Sequence, residues 1–266
     1  MTEQIHSARQ NDELVRERRG PVLVVRLNRP EAHNQLTPAM MRAIGAAVAE
    51  AESDPDIRVV ILTATGDRTF CAGMDLRSFA DGADFTVGSD SDMSHYMRFM
   101  TGRASIPVVG AANGTALGGG FEVLLACDLI VASEKARFGL PEVKRGLFAA
   151  GGGVFIGTKI PMNAALELLM TGDSITAERA HGLGLVNAVV PPEEVAVTAL
   201  GLAERVAANA PLGVAASRDL ARLAVADLRG AEARMQELQE SVYASEDAQE
   251  GAMAFIEKRK PVWKGR

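Results

Sequence analysis

The stretch from Val108 to Ala126 constrains this chain more than any other: Val-Val-Gly-Ala-Ala-Asn-Gly-Thr-Ala-Leu-Gly-Gly-Gly-Phe-Glu-Val-Leu-Leu-Ala. A strand-like apolar run, a glycine-rich turn and an apolar helical run follow one another without a break. A helix that starts on glycines exposes unpaired N–H groups and the positive end of its dipole, and glycine lets a ligand come close to both. Such a loop can hold a phosphate or an oxyanion. No Lys-Ser/Thr pair follows the glycines, so the phosphate loop of nucleotide hydrolases is excluded, and Gly114, Gly118, Gly119 and Gly120 do not have the dinucleotide spacing. An oxyanion site is favoured; the alternative is a tight turn that packs a helix closely on a strand.

Similar apolar runs, bounded by Gly, Pro, Asn or Asp, recur at Val22 to Leu27, Val59 to Thr63, Leu129 to Ala132 and Leu185 to Val190. Helical patterns lie between them. Thr37-Pro38 places an N-cap residue before a proline at the first helical position, followed by Met41, Ile44 and Val48 at helical spacing. Another such segment runs from about Ala164 to Met170. Strands interleaved with helices predict an α/β fold. Beyond Pro191 the texture changes to successive helices rich in Ala, Leu, Glu and Arg, with breaks at Asn209-Ala210-Pro211, Leu228-Arg229-Gly230 and near Ser245. The last segment puts Ala248, Ala252, Phe255 and Ile256 on one face. The expected organisation is a core over residues 1–195 and a helical region over 196–266. At 266 residues with 47% apolar content, one sizeable core can be buried without staples.

Composition excludes several function classes. A net charge of -6 leaves no Lys/Arg surplus for nucleic acid. The uncharged stretch Ile106 to Phe121 is broken by Pro, Asn and five glycines and falls short of the roughly 20 apolar residues that span a bilayer. Residues 1–20 carry charges throughout, so neither a signal peptide nor a membrane partner is expected. Cys71 and Cys127 are too few for a disulfide framework and lack metal-ligand spacing, which indicates a reducing, cytoplasmic setting and no metal.

A second small-residue turn, Phe70-Cys71-Ala72-Gly73-Met74-Asp75-Leu76, follows the strand at Val59 to Thr63 and could supply another N–H donor. One such donor is worth roughly 10²- to 10³-fold in rate. Cys71 has no neighbouring His in sequence and reads as a small buried hydrophobe. Glu122 stands one helical turn after Gly119, and Glu142 follows in Phe138-Gly-Leu-Pro-Glu-Val143. Two carboxylates beside an oxyanion site suit acid/base work, with burial keeping one protonated while the other orients water. By residue type alone a Glu on a helix is more often a solvated residue.

Taken together, Phe70 to Leu76, Asn113 to Glu122, Cys127-Asp128, Phe138 to Glu142, Ala180-His-Gly-Leu-Gly-Leu-Val-Asn187 and Glu250 to Lys260 resemble the enoyl-CoA hydratase/isomerase, or crotonase, superfamily, in order and over about residues 20 to 266. The resemblance implies a crotonase-like spiral of ββα units with a C-terminal helical region that drives formation of a homotrimer or a dimer of trimers. It implies that the N–H groups of Met74 and Gly119 form the oxyanion hole for an acyl-CoA thioester carbonyl, and that Glu122 and Glu142 are the catalytic pair of a hydratase. Contacts to the substrate or its CoA are implied for Glu31, Ala32, His33, Ala72, Gly73, Asp75, Leu76, Gly118, Pro141 and Lys258, the last in some relatives from a neighbouring subunit. No cofactor is expected, since coenzyme A is part of the substrate. Because isomerases often keep one carboxylate, the pair weighs toward addition of water to a trans-2-enoyl-CoA, with isomerase or carnitinyl-CoA dehydratase-like activity as alternatives.

The chain departs from the common hydratase pattern at Leu147 to Gly153, where Pro-Gly-x-Gly-Gly is usual. The segment Phe79 to Arg103, rich in Asp, Ser and Met, is where the resemblance implies a flexible acyl-pocket wall, and its low apolar density fits a mobile loop and helix. Two rivals from other classes stand apart. A serine peptidase of the related Clp fold needs a histidine partner, and His6, His33, His95 and His181 show no matching arrangement. A non-catalytic acyl-CoA-binding protein has no need of Glu122 and Glu142.

Overall fold

The computed structural model describes residues 13–85 and 90–266. The start of the charged N-terminal stretch, with His6, and residues 86–89 of the expected acyl-pocket wall lie outside the described residues.

The chain runs β1 (Leu14–Arg19), β2 (Val22–Leu27), α1 (Pro38–Ser53), β3 (Val59–Ala64), β4 (Thr69–Cys71), α2 (Leu76–Ala80), α3 (Ser91–Met100), β5 (Val108–Ala112), β6 (Thr115–Leu117) and α4 (Gly119–Ala126). It continues with β7 (Leu129–Ser133), β8 (Arg137–Gly139), α5 (Met162–Thr171), β9 (Ser174–Thr176), α6 (Ala177–Gly182), β10 (Ala188–Val190), α7 (Val195–Ala207), α8 (Pro211–Ala226), α9 (Leu228–Tyr243) and α10 (Glu246–Glu257). Six strands form one sheet in the order β1-β2-β3-β5-β7-β10, and four form a second, β4-β6-β8-β9. The large sheet is parallel apart from the β1–β2 hairpin. Three times in succession, at β3–β4, β5–β6 and β7–β8, the chain gives one strand to each sheet and then turns into helix. This is the expected spiral of ββα units.

Every residue of β3, Val-Val-Ile-Leu-Thr-Ala, is buried, as a parallel strand covered on both faces must be. One face packs on α1, α3 and α4 through Leu23, Val25, Val60, Leu62, Ile44 and Phe99. The other carries Val22, Val24, Val59, Ile61, Val109 and Val131, and α7 covers it with Val195, Ala199, Ala203 and Ala207. That spacing of four is one helical stripe. Although α7 falls on the helical side of the boundary read from sequence, its small-residue stripe makes it the closing layer of the core.

α1 starts where its cap residues indicate, with the Thr37 hydroxyl accepting from the Met40 N–H at 3.0 Å. The helix expected within the acyl-pocket segment is present. This helix, α3, buries Met93, Tyr96, Phe99 and Met100, and it lies so close to α1 that a Cβ on Gly45 would stand within 3 Å of the Asp92 carbonyl carbon and the Tyr96 nitrogen. Four apolar side chains spaced on one face outweighed the polar residues between them.

Helices α8 to α10 bury little of their own surface, only Ala231 in α9 and Asp247 and Ala254 in α10. Two polar attachments hold them. Asp128, just before β7, accepts from Arg218 Nε at 2.6 Å and Arg222 Nη2 at 2.7 Å of α8. Arg58, just before β3, donates to the Trp263 carbonyl at 2.8 Å, while Trp263 Nε1 donates to the Ala208 carbonyl at 2.7 Å. Both attachments sit at the N-terminal ends of the parallel strands.

Candidate active site

At the other end of α4 lies the glycine turn. Gly118 adopts φ 54 and ψ -131, a conformation that residues with a Cβ avoid, and its N–H donates to the Gly139 carbonyl at 2.9 Å. This bond ties the turn to β8. A Cβ at Gly118 would lie 3.1 Å from Glu142 Oε1, and one at Gly120 would collide with Cys71. The two readings of the glycine run therefore both hold: Gly120 lets α4 lie on β4, while Gly118 and Gly119 leave room for a ligand.

The second turn reaches the same place. Leu36 and Met74 form an isolated parallel bridge, with the Leu36 N–H donating to the Gly73 carbonyl at 2.8 Å and the Asp75 N–H to the Leu36 carbonyl at 2.9 Å. A Cβ on Gly119 would be 3.6 Å from the Met74 nitrogen, so the two amides flank one small space. Among the described residues, neither the Met74 nor the Gly119 N–H donates to a protein acceptor. Paired free amides at a helix start are the geometry that stabilises a developing oxyanion.

Glu122 is 7% exposed, and its Oε1 accepts from the Gly153 N–H at 2.8 Å. Burial pushes its carboxyl pKa up and nearby Glu142 adds to this, against the Gly153 hydrogen bond. Burial also raises Glu142, whose Oε2 is buried without a hydrogen-bond partner. Pro141 opens the short 3-10 turn Pro141–Arg145 that presents Glu142. Two carboxyl groups with raised pKa values, one pinned and one unsatisfied, thus face the space between the amides.

The remaining candidates divide by what holds them. Glu31 and Ala32 lie in the 3-10 turn Pro30–Ala32, and His33 follows with φ 52. The His33 carbonyl accepts from the Ala72 N–H at 3.1 Å, which sets this turn beside the Ala72–Met74 loop. Asn34, fully buried, fixes the pair: its Nδ2 donates to the carbonyls of Thr65 and Thr69 at 3.1 and 3.0 Å. Leu76 is exposed. The Asp75 carboxylate is occupied within the protein, accepting from the N–H groups of Arg77 and Ser78 at 3.1 and 3.2 Å and pairing with Arg29 at 3.3 Å. Burial opposes its charge, but the Ser78 N–H and Arg29 still hold its pKa low. Asp75 caps α2 and steadies Met74. Lys258 stands apart, at φ 54 on the C-terminal cap of α10, where Gly251 packs on Trp263 at the far end of the sheet.

Gly151 and Gly153 belong to the site and were not among the candidates. A Cβ on Gly151 would lie 2.6 Å from Glu122 Oε2. The signal was present as the run Gly151-Gly152-Gly153, read only as a departure from a pattern. Both thiols are inert as nucleophiles, since burial pushes Cys71 and Cys127 up to about 12. Among the described residues no cluster of His, Cys, Asp and Glu could hold a metal ion, and no helix is long and apolar enough to cross a membrane.

Comparison with known proteins shows the family. The enoyl-CoA hydratase/isomerase family model matches residues 17–266. A carnitinyl-CoA dehydratase of Salmonella typhi is 39% identical over 260 residues, 94% of this chain and 97% of the relative. Among solved structures, an enoyl-CoA hydratase from Mycobacterium tuberculosis superposes with a TM-score of 0.90 at 39% identity, covering 96% of this chain and all of that one. A carnitinyl-CoA hydratase from Mycobacterium avium is 43% identical with a TM-score of 0.76, covering 97% of this chain and all of that one. With its ββα spiral, its two converging amides and a family match over nearly its whole length, the chain belongs to the enoyl-CoA hydratase/isomerase, or crotonase, superfamily.

Proposed function

We propose that the protein is a hydro-lyase acting on acyl-CoA thioesters, adding water reversibly to a trans-2-enoyl-CoA to give the 3-hydroxyacyl-CoA. The observation that carries this reading is the pair of raised-pKa carboxyl groups, Glu122 and Glu142, facing the space between the free amides of Met74 and Gly119. In the reaction the thioester oxygen accepts from the two amides. Water, held by the two carboxyl groups, loses a proton to the ionised one as its oxygen bonds to Cβ. The C=C electron pair moves onto the thioester as an enolate, and the protonated carboxyl group delivers its proton to Cα. Coenzyme A enters as part of the substrate, with the Glu31–His33 turn beside the Ala72–Met74 loop as its track. Lys258 serves it from a neighbouring subunit, since its own chain holds it at the other end of the sheet.

Replacing either Glu122 or Glu142 by Gln should cost roughly 10²- to 10⁴-fold in rate, followed as the loss of the conjugated thioester's ultraviolet absorbance. Wild-type rates in Glu122→Gln would overturn the assignment. Likeness to the Salmonella and M. avium proteins favours a second substrate, a carnitinyl-CoA run in the dehydrating direction. A panel of short, long, branched and trimethylammonium-bearing thioesters, scored for hydration, dehydration and double-bond migration, separates the two readings and tests isomerase activity.

A further inference from the structure

Of the three glycines that fold over Glu122, only one needs glycine for its backbone. Gly152 has φ 115, whereas Gly151 and Gly153 stay outside the left-handed region. At Gly153 the missing side chain serves core packing first, since a Cβ there would stand 2.6 Å from the Ala149 Cβ and 2.9 Å from Leu140 Cδ2. Gly151 answers to neither requirement. The three atoms nearest a Cβ at that position all belong to one carboxyl group: Glu122 Oε2 at 2.6 Å, Cδ at 3.0 Å and Oε1 at 3.3 Å. The segment itself has little room to retreat. Ala149 and Leu140 are buried behind it, and it is closed by the Val154 N–H on the Ala149 carbonyl at 3.3 Å and the Phe155 N–H on the Gly152 carbonyl at 3.0 Å. A methyl group at position 151 would therefore displace the carboxyl group, not the backbone.

The two oxygens of that group are not equivalent. Oε1 accepts from the Gly153 N–H at 2.8 Å, and an oxygen that already accepts from an amide is the weaker base of the two. Oε2 stands between Gly151 and Gly119, 3.9 Å from where a Cβ on Gly119 would lie, and so on the side of the free Gly119 amide. We propose that Gly151 is a positioning residue for proton transfer: its missing side chain lets Glu122 Oε2 stand toward Gly119, and Oε2 is the oxygen that exchanges the proton while Oε1 anchors the group. This rests on the hydratase reading. The proton passes between Oε2 and the substrate or its water, the bond to hydrogen forming at one atom as it breaks at the other, and Oε1 keeps its amide throughout. An added methyl would drive Oε2 from 2.6 Å out to an ordinary contact of 3.4 Å, approaching the roughly 1 Å misplacement that costs reacting groups about a hundredfold.

The test replaces Gly151 by Ala and follows crotonyl-CoA hydration beside thermal melting. The expected result is a kcat lower by roughly ten- to a hundredfold with a KM within about threefold of wild type, because the amides and the CoA track are untouched, and a melting temperature little changed. In the Glu122→Gln background the same substitution should cost less than about threefold in kcat, since the group it moves no longer exchanges a proton. A merely structural role would lower the melting temperature and add its full cost in both backgrounds. A wild-type kcat in Gly151→Ala, or equal losses in the two backgrounds, would overturn the proposal. Should Gly151→Ala fail to fold, melts of Glu122→Ala with and without it decide. With no carboxyl group to strike, the methyl should cost no melting temperature there; instability in that background as well sinks the idea. Normal hydration by wild type and by Gly151→Ala alike removes Gly151 and leaves the hydratase reading standing. A wild type that hydrates no enoyl thioester removes that reading and the proton transfer built on it.

Discussion

A carboxyl group enclosed as Glu122 is loses most of its hydration, and one Gly153 N–H at 2.8 Å does not replace it. The folded chain therefore keeps that proton to higher pH than the unfolded chain, whose ordinary value is 4.5. As pH rises past that value the unfolded state releases its proton first, so this group's contribution to stability falls until its folded pKa is passed. Glu122→Gln should then melt higher than wild type at neutral pH, with the gap closing as pH drops below 4.5; each kcal/mol corresponds to about 2–4 °C in a chain this size. Thermal melts followed by circular dichroism across that range check it, and a variant that melts lower at neutral pH contradicts it. A residue that costs stability and is retained for chemistry is what an active site predicts. Glu122 could be placed beside the glycine run from helical spacing, whereas Glu142, twenty residues further on, entered as its partner only through the family resemblance. The Gly151–Gly153 wrap around Glu122 was not legible, since it closes over the 28 residues between Glu122 and Gly151, and only tertiary packing reveals it. Asp75 was legible as a site residue but not in its role, because nothing in sequence shows that Arg29 and two backbone amides already occupy its oxygens.

Elements set the oxyanion hole more than single side chains do. Met74 is held by a one-residue bridge to Leu36 on one side and by the Asp75 cap of α2 on the other. Asp75→Ala removes the cap, worth about 0.5–2 kcal/mol, and leaves Arg29 with its Asp75 partner gone. The expected outcome is a modest drop in melting temperature together with a kcat loss larger than the rise in KM, because a displaced amide is felt most by the enolate-like state. Steady-state kinetics with crotonyl-CoA check this; an unchanged kcat would mean that Leu36 alone fixes Met74. The long elements were readable: the strand at Val22–Leu27, the helix start at Thr37-Pro38 and the break at Pro211 all stand where pattern placed them. The strands at Thr69–Cys71, Thr115–Leu117, Arg137–Gly139 and Ser174–Thr176 were not, since three residues are too few to show a period of two. Leu14–Arg19 escaped for another reason: as an edge strand it buries only Leu14 fully and reads as a charged linker. The second sheet, and with it the spiral, is therefore visible in sequence only through family resemblance.

At the scale of the molecule, the chain leaves an apolar surface that a lone subunit does not explain. Phe255 is 85% exposed and Ile256 70%, and Ala248 and Ala252 share their face of α10 in the exposed class. Phe148, Phe155, Met162 and Met170 form a second exposed apolar series along the segment that carries the Glu122 wrap. Patches of this kind mark association surfaces. The helical region is also poorly anchored on its own, since α8 buries no residue fully and depends on the Asp128 ion pairs. Burying α10 against a second copy would remove the exposed face and bring a neighbour's tail, with Lys258, toward a site that its own chain cannot reach with that residue. A closed ring satisfies every such surface, whereas an open chain would leave one unfilled. Light scattering should give three or six times the 28.1 kDa of one chain. Phe255→Glu with Ile256→Glu should lower that mass and raise the KM for CoA thioesters more than it lowers kcat, because the catalytic carboxyl groups remain within one subunit while the tail contact is lost. A monomeric wild type with full activity would assign the exposed face another purpose and detach the helical region from catalysis.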